Sequence, residues 1–257
     1  MPSLVTFSHD RNIARVRLNR PDRHNALTPG LLDDLRNCLQ LARGVDPDAL
    51  VLSAEGRSFS TGGDVGGFMD HAKNPDELLA YSDRIVGTLH DAIIDLLEFP
   101  SPVFAAVNGP VTGGSLGLVL AADLIAMSET AFLQPYYGVV GFGPDGGWTA
   151  LLPERIGTAK ALELQYLNSR LKAEDALRLG LANAVVPEKD VAHQIDTWTA
   201  SIANMNSNTL KTTRANIWDK PRISTVRERL NQEKHRFLQR VTARDTLEGM
   251  KRFTGRP

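Results

Sequence analysis

The sequence predicts an α/β protein built on a largely parallel sheet. Three observations carry that expectation. Short apolar runs of strand length alternate with stretches of helical periodicity, glycine clusters follow two of those runs, and the last third of the chain reads as helix throughout.

Taken in order, Leu4–Ser8 and Ile13–Leu18 alternate apolar and polar residues about Asp10-Arg11-Asn12, which predicts an N-terminal hairpin. Leu31, Leu32, Leu35, Leu39 and Leu41 have helical spacing, so a helix is expected over Leu31–Arg43, with Thr28 as N-cap and Pro29 in the first turn. Ala49–Ser53 and Val103–Asn108 are apolar on both faces and read as buried strands. Between them Tyr81–Leu97 is a helix that ends at Phe99-Pro100. A buried helix over Ser115–Ala122 and a strand over Leu124–Met127 come next. Helices are then expected over Thr158–Leu167, Ala173–Leu179, Val191–Asn204 and Thr209–Ile217, and one or more amphipathic helices from Val226 to about Arg252. No linker of low complexity interrupts this pattern, so residues 1–200 are read as the core and 201–257 as a helical extension.

Composition narrows the function. The 257 residues carry 29 Lys and Arg against 30 Asp and Glu, a net charge of −1, which argues against a dedicated nucleic-acid binder. A single cysteine, Cys38, excludes an intramolecular disulfide and a cysteine zinc site. Nothing in residues 1–12 has the form of a signal peptide, and the longest apolar run, Leu116–Ile125, is too short to cross a bilayer. A soluble cytoplasmic protein is expected. The charge is uneven, however: residues 201–257 hold thirteen Lys or Arg and five acids, a local +8 on a body of −9. Such a tail can dock on its own body, meet a neighbouring subunit or receive an anionic ligand.

Two motifs have the form needed for chemistry, Phe59-Ser60-Thr61-Gly62-Gly63-Asp64 and Asn108-Gly109-Pro110-Val111-Thr112-Gly113-Gly114-Ser115-Leu116-Gly117. Glycines after a strand let a ligand approach the main chain, and N–H groups converging from two such loops form an oxyanion hole. Two tight turns without a ligand would show the same residues, and neither motif is a nucleotide-binding fingerprint.

With Leu18-Asn19-Arg20-Pro21, Asn25-Ala26-Leu27, Ala184-Val185-Val186-Pro187 and Glu248-Gly249 in the same order and spacing, the chain resembles the enoyl-CoA hydratase/isomerase (crotonase) family along its whole length. The resemblance implies repeated ββα units with a helical C-terminal oligomerisation region, and assembly as a trimer or hexamer. It also implies a coenzyme A thioester as substrate, no permanently bound cofactor, no metal, and neither membrane nor nucleic acid as partner. By motif position it assigns Gly63 and Gly114 as oxyanion donors. Around them it places Arg23, His24, Ala26, Gly62, Asp64 and Gly113 as substrate- or CoA-binding residues. Tyr136, Tyr137, Phe142 and Trp148 cluster within thirteen residues and either line the acyl site, with Phe68 as a further wall, or belong to the core. Lys251 or Arg252 are expected to complete the phosphate site, from this chain or a neighbour.

The departures are informative. Hydratases of the family carry one glutamate three positions after the second oxyanion glycine, where this chain has Gly117, and another after a Gln-Pro pair, where it has Tyr136. Asp145, in Phe142-Gly143-Pro144-Asp145-Gly146-Gly147-Trp148, is the remaining carboxylate of the loop and the candidate catalytic residue. Relatives with Asp there include double-bond isomerases, in which it shuttles a proton, and 4-chlorobenzoyl-CoA dehalogenases, in which it attacks the ring. The dehalogenases also have a histidine where His90 stands and an aromatic donor where Tyr137 stands, so both are further catalytic candidates; they favour an aromatic residue where this chain has Gly63. Pro-Asp-Gly-Gly is equally an ordinary turn sequence. The leading expectation is an enoyl-CoA isomerase. The alternatives are an aroyl-CoA dehalogenase or thioester hydrolase, a hydratase with a non-standard site, and a non-catalytic or RNA-associated homologue.

Overall fold

Alternation builds the sheet edge and continuous apolar runs build its centre. In the second strand Ala14, Val16 and Leu18 are buried while Arg15 and Arg17 point outward, each on a partner acid (Asp196 at 2.8 Å, Glu55 at 2.7 Å). The computed structural model describes residues 3–255. Its main sheet contains β1 (Val5–Asp10), β2 (Ile13–Leu18), β3 (Ala49–Ala54), β4 (Val103–Val107), β6 (Leu124–Ser128) and β9 (Ala184–Val186) in that spatial order. Only the β1/β2 hairpin is antiparallel. A second sheet of β5 (Val111–Thr112), β7 (Phe132–Gln134) and β8 (Leu171–Lys172) lies in the order β5-β7-β8. These strands are two or three residues long, too short to show a period-2 pattern, and the sequence does not announce them.

The helices are α1 (Pro29–Gly44), α2 (Val65–His71), α3 (Pro75–Leu97), α4 (Leu116–Leu120), α5 (Tyr137–Val140), α6 (Leu152–Ile156), α7 (Thr158–Leu167) and α8 (Ala173–Arg178). Four more, α9 (Val191–Ala203), α10 (Ser207–Ile217), α11 (Lys220–Val241) and α12 (Arg244–Thr254), form the C-terminal helical region. The central strands are apolar throughout because both faces are covered. Leu50, Leu52, Val103, Ala105 and Val107 face the large core against α1 and α3, while Val51, Phe104 and Ala106 face Val191 and Ile195 of α9. The chain is thus an α/β crotonase-like fold of ββα units with a helical C-terminal part.

Two boundaries differ from expectation for local reasons. Helix α3 begins at Pro75 rather than Tyr81, because the Asn74 side chain accepts from the Asp76 N–H at 3.0 Å and caps a first turn that is exposed and so lacks apolar periodicity. The expected helix over 115–122 is a 3₁₀ turn, Gly113–Ser115, leading into the short α4.

The cationic tail lies on its own body. Lys211 pairs with Asp46 (2.7 Å), Arg229 with Glu154 (2.7 Å) and Lys234 with Asp83 (2.9 Å). Buried Arg214 pairs with Asp123 (2.8 Å) and donates to the carbonyls of Leu96, Leu97 and Phe99, at and just beyond the C-terminal end of α3. Helix α12 then packs on α2 and α5, and the Thr246 hydroxyl donates to the Gly141 carbonyl at 2.8 Å.

Candidate active site

The two glycine loops follow neighbouring parallel strands, β3 and β4, and are stitched together by their main chains. The Ser60 N–H donates to Pro110 O (3.2 Å) and the Thr112 N–H to Ser60 O (3.1 Å). The Leu27 N–H donates to Gly62 O (2.7 Å) and the Asp64 N–H to Leu27 O (2.9 Å), tying the first loop to the turn before α1. Gly62 has φ +76°, and a Cβ on it would lie 2.6 Å from the Thr112 carbonyl. That contact decides its role: Gly62 is buried where the loops meet and does not border the cavity, contrary to its expected place among the binding residues. Neither the Gly63 nor the Gly114 N–H takes part in these cross-loop bonds, and both residues border a cavity of about 720 Å³.

Asp145 enters that cavity from the turn after α5. It is buried, and the Tyr137 hydroxyl lies between its Oδ1, to which it makes a short hydrogen bond, and its main-chain carbonyl at 2.9 Å. Burial pushes the Asp145 carboxyl up to about 7; the Tyr137 hydrogen bond opposes the rise and the nearby charge of Glu233 adds to it. Burial beside Asp145 drives the Tyr137 hydroxyl far above its ordinary range, so it stays protonated as a donor. A Cβ built on Gly114 would lie 3.0 Å from Asp145 Oδ1, so glycine is needed there for the carboxyl to come this close. Sequence spacing brings none of this about directly: Tyr137, Asp145 and Gly114 meet because the second sheet returns β7 beside β5.

Gly117 accounts for one missing glutamate in steric terms, and Tyr136 stands at the position of the other. Gly117 is buried, and a Cβ on it would overlap both Ile93 and the carbonyl of Gly146 in the Asp145 turn. Tyr136 adopts φ +64°, its N–H donates to Asn168 Oδ1 at 2.9 Å, and it borders the cavity mouth with its ring 6.1 Å from that of Phe253.

His90 is in a different place from the one its candidacy requires. It lies beneath the Asp145 turn and does not border the cavity; Nε2 accepts the Gly146 N–H at 3.3 Å and stands 3.9 Å from Glu233 Oε2. Burial, aided by Lys234, lowers its pKa to about 3, so the ring is a neutral prop for the turn. Trp148 is likewise core and not a cavity wall: it is 1% exposed and donates its indole N–H to Gly113 O at 2.6 Å.

Glu233 of α11 is the residue that sequence reading missed. Its buried carboxylate accepts the N–H groups of Gly147 (2.9 Å), Thr149 (2.7 Å) and Ala150 (2.9 Å) and the Thr149 hydroxyl (2.7 Å), which fixes the far side of the Asp145 turn. Burial raises its pKa against those bonds. A signal was present: Val226, Leu230, Glu233, Phe237 and Val241 form one buried stripe, so an acid occupies an apolar phase of the helix.

Phe68 of α2, Phe142 and Phe237 of α11 form an aromatic cluster on the cavity wall, with ring centroids 5.1, 4.9 and 5.9 Å apart. The cavity is also bordered by Arg23, His24, Ala26, Asp64 and Gly113, with Phe253 and Thr254 of the chain's own α12. Asp64 receives Arg20 at 3.0 Å and Arg23 at 3.5 Å, which pins its loop, and His24 Nδ1 meets the Ser58 hydroxyl at 3.1 Å. Lys251 and Arg252 are exposed and do not border this cavity, although Phe253 and Thr254 do. Among the described residues no three His, Cys, Asp or Glu converge as metal ligands.

A family model described as enoyl-CoA hydratase/isomerase matches residues 8–256. The chain belongs to the enoyl-CoA hydratase/isomerase family. Its activity class follows: members transform acyl-CoA thioesters, and no permanent cofactor is indicated. Over 227 residues the chain is 33% identical to "Probable enoyl-CoA hydratase echA12" of Mycobacterium bovis, covering 84% of this chain and 77% of that protein. Over 193 residues it is 30% identical to 4-chlorobenzoyl coenzyme A dehalogenase-2 of an Arthrobacter species, covering 74% and 69%. A solved enoyl-CoA hydratase/isomerase of Mycobacterium paratuberculosis superposes with a TM-score of 0.87 at 25% identity, covering 98% of this chain and 99% of that one. Among the described residues no helix is long and apolar enough to cross a membrane.

Proposed function

We propose that this member of the family is an enoyl-CoA isomerase in which Asp145 moves a proton and the Gly63 and Gly114 N–H groups hold the thioester oxygen. The observation that carries the reading is a single buried carboxyl, raised to about 7, beside Gly114 on a cavity whose two glutamate positions are Gly117 and Tyr136. A 3-enoyl-CoA would bind with its carbonyl oxygen between the two N–H groups. Asp145 then removes a proton from C2. The electron pair forms a C1–C2 double bond as the carbonyl π pair moves to oxygen, giving a dienolate whose negative charge rests on the thioester oxygen, where two N–H donors are worth most. The resulting carboxylic acid returns the proton to C4 as the C3–C4 double bond becomes C2–C3. One carboxyl near neutral pKa suits both halves of this shift, being ionised enough to take the proton and acidic enough to return it. Hydration asks for a second positioned group to orient water, and neither Gly117 nor Tyr136 supplies a carboxylate.

The Phe68, Phe142 and Phe237 wall supports a compact or cyclic acyl group rather than a long flexible chain. Arg23, His24 and Ala26 are read as the CoA side of the mouth. We place the protein in the cytoplasm as a trimer or hexamer, residues 1–200 supplying the catalytic core and 201–257 the helical extension.

Aroyl-CoA dehalogenation is the second reading, favoured by the Tyr137 hydrogen bond to Asp145. It is weakened by His90, which is neutral, engaged with Gly146 and outside the cavity. The deciding experiment follows a 3-enoyl-CoA, a 2-enoyl-CoA and 4-chlorobenzoyl-CoA in D₂O with the wild-type protein and Asp145→Asn. Isomerisation gives the conjugated thioester band with at most deuterium uptake and no added water, lost in the variant. Added water would establish a hydratase, and chloride release a dehalogenase.

A further inference from the structure

We propose that Trp148 is a positioning residue for the oxyanion site: its indole N–H holds the Gly113 carbonyl and thereby aims the Gly114 N–H into the cavity. The inference rests on the reading of Gly114 as an oxyanion donor. A trans peptide is planar, with its C=O and the following N–H pointing in opposite directions, so fixing one end fixes the other. The peptide in question joins two glycines, Gly113 at φ +51° and Gly114, and no side chain restrains rotation on either side of it. Rotating that one peptide would turn the Gly114 N–H away from the cavity. The Gly113 carbonyl accepts the Leu116 N–H of the 3₁₀ turn, and the bond from Trp148 Nε1 to the same oxygen, at 2.6 Å, is the side-chain restraint added to it. It also polarises the amide and strengthens the Gly114 N–H as a donor.

The indole is itself held. Glu233 accepts the N–H of Gly147 on one side of Trp148 and those of Thr149 and Ala150 on the other, and the ring packs edge-on to Tyr137 with centroids 6.4 Å apart. Trp148 stands behind the loop, outside the cavity wall, so it acts through the peptide and not on the substrate. One turn of chain thus delivers the Asp145 carboxyl to one side of Gly114 and the indole to the Gly113 carbonyl, linking the proton carrier to the oxyanion donor.

The test removes the N–H and keeps the ring. Trp148→Phe is the simple variant. Trp148→benzothienylalanine, which puts sulfur in place of the indole N–H, preserves the packing and therefore the fold. The same replacement at Trp198, which packs on Phe104 on the far face of the sheet, is the control. Crotonyl-CoA labelled with ¹³C at the carbonyl is bound, and difference infrared spectroscopy reads the thioester carbonyl stretch, which needs binding and no particular reaction. The wild-type protein is expected to lower the band, the Trp148 isostere to lose at least half of that shift, and the Trp198 isostere to retain it. Turnover of a 3-enoyl-CoA is expected to fall about tenfold in kcat with KM within twofold, as for a weakened rather than deleted donor. A Trp148 isostere with the full band shift and unchanged kcat overturns the proposal, as does one in which only KM changes. Absence of a band shift in the wild-type protein instead overturns the oxyanion reading of Gly114, and the proposal with it.

Discussion

Replacing Asp145 by asparagine perturbs the one group on which proton transfer is proposed to depend, and its consequence for stability can be worked out independently of any substrate. The carboxyl has a pKa of about 7 in the folded chain against 3.8 for an ordinary Asp, so the folded state holds its proton more tightly than the unfolded state. Between those values the folded protein binds more protons, and stability from this group therefore falls as pH rises from about 4 to 7, then levels off. Three units of pKa correspond to about 4 kcal/mol at pH 8, and the same calculation gives roughly 2 kcal/mol at pH 5. Asparagine carries no charge, accepts the Tyr137 hydroxyl through its side-chain oxygen, and escapes this penalty. Asp145→Asn is thus expected to be more stable than the wild type at pH 8 by a margin that shrinks by about half at pH 5. Isomerase turnover is expected to drop by about 10³-fold or more at the same time, the usual contribution of a positioned base. Urea unfolding at both pH values measures the first effect and the conjugated-thioester absorbance the second. A stability difference that is the same at pH 5 and pH 8 would refute the reasoning, because it would mean that the carboxyl does not titrate between them.

Three further outcomes test other parts of the site. Wild-type kcat/KM for a 3-enoyl-CoA is expected to rise with pH through about 7 as Asp145 ionises; a flat profile from pH 5.5 to 8.5 contradicts Asp145 as base. Glu233→Ala leaves three N–H groups of the Asp145 turn, those of Gly147 and Ala150 buried, without an acceptor and is expected to cost about 3 kcal/mol in urea unfolding, with Glu233→Gln, which keeps an oxygen, milder. Phe142→Ala opens the aromatic wall of the cavity and is expected to shift kcat/KM about tenfold toward longer acyl chains across a series of 3-enoyl-CoA substrates.

The fold was legible where periodicity extends over several residues, and illegible where it does not. The hairpin, the central strands and α1 follow from side-chain patterns that burial enforces, and Thr28 caps α1 as its sequence suggests. The two-residue strands β5 and β8 carry no pattern, yet β5 and β7 decide where Asp145 lies. For the candidate site, motif position brought Gly63, Gly114, Tyr137 and Asp145 to one cavity. His90, Trp148 and Gly62 stand off that cavity, because a residue that supports a loop from behind and one that faces the ligand can carry the same local sequence signal. Glu233 was invisible for the opposite reason: it is 88 positions from Asp145, and only the packing of α11 on the core joins them.

Gly117 and Asp145 are best understood as a single structural choice. The volume beside Gly117 contains the Gly146 carbonyl and Ile93, so the turn that carries Asp145 occupies the space into which a glutamate at 117 would grow. The two carboxylates are sterically alternative ways of presenting an acid next to the Gly114 peptide, one from the helix after the glycine loop and one from the turn after α5. On this argument Gly117→Glu does not restore a hydratase. With Gly146 O against its Cβ, the variant must displace the Asp145 turn together with the Glu233 bonds that fix it, at a cost of about 3 kcal/mol or more. It is expected to lose isomerase turnover, to gain no addition of water to a 2-enoyl-CoA, and to unfold at lower urea. A Gly117→Glu protein of wild-type stability that hydrates crotonyl-CoA would show that the turn moves aside freely, and the two carboxylate positions would then be compatible in one site.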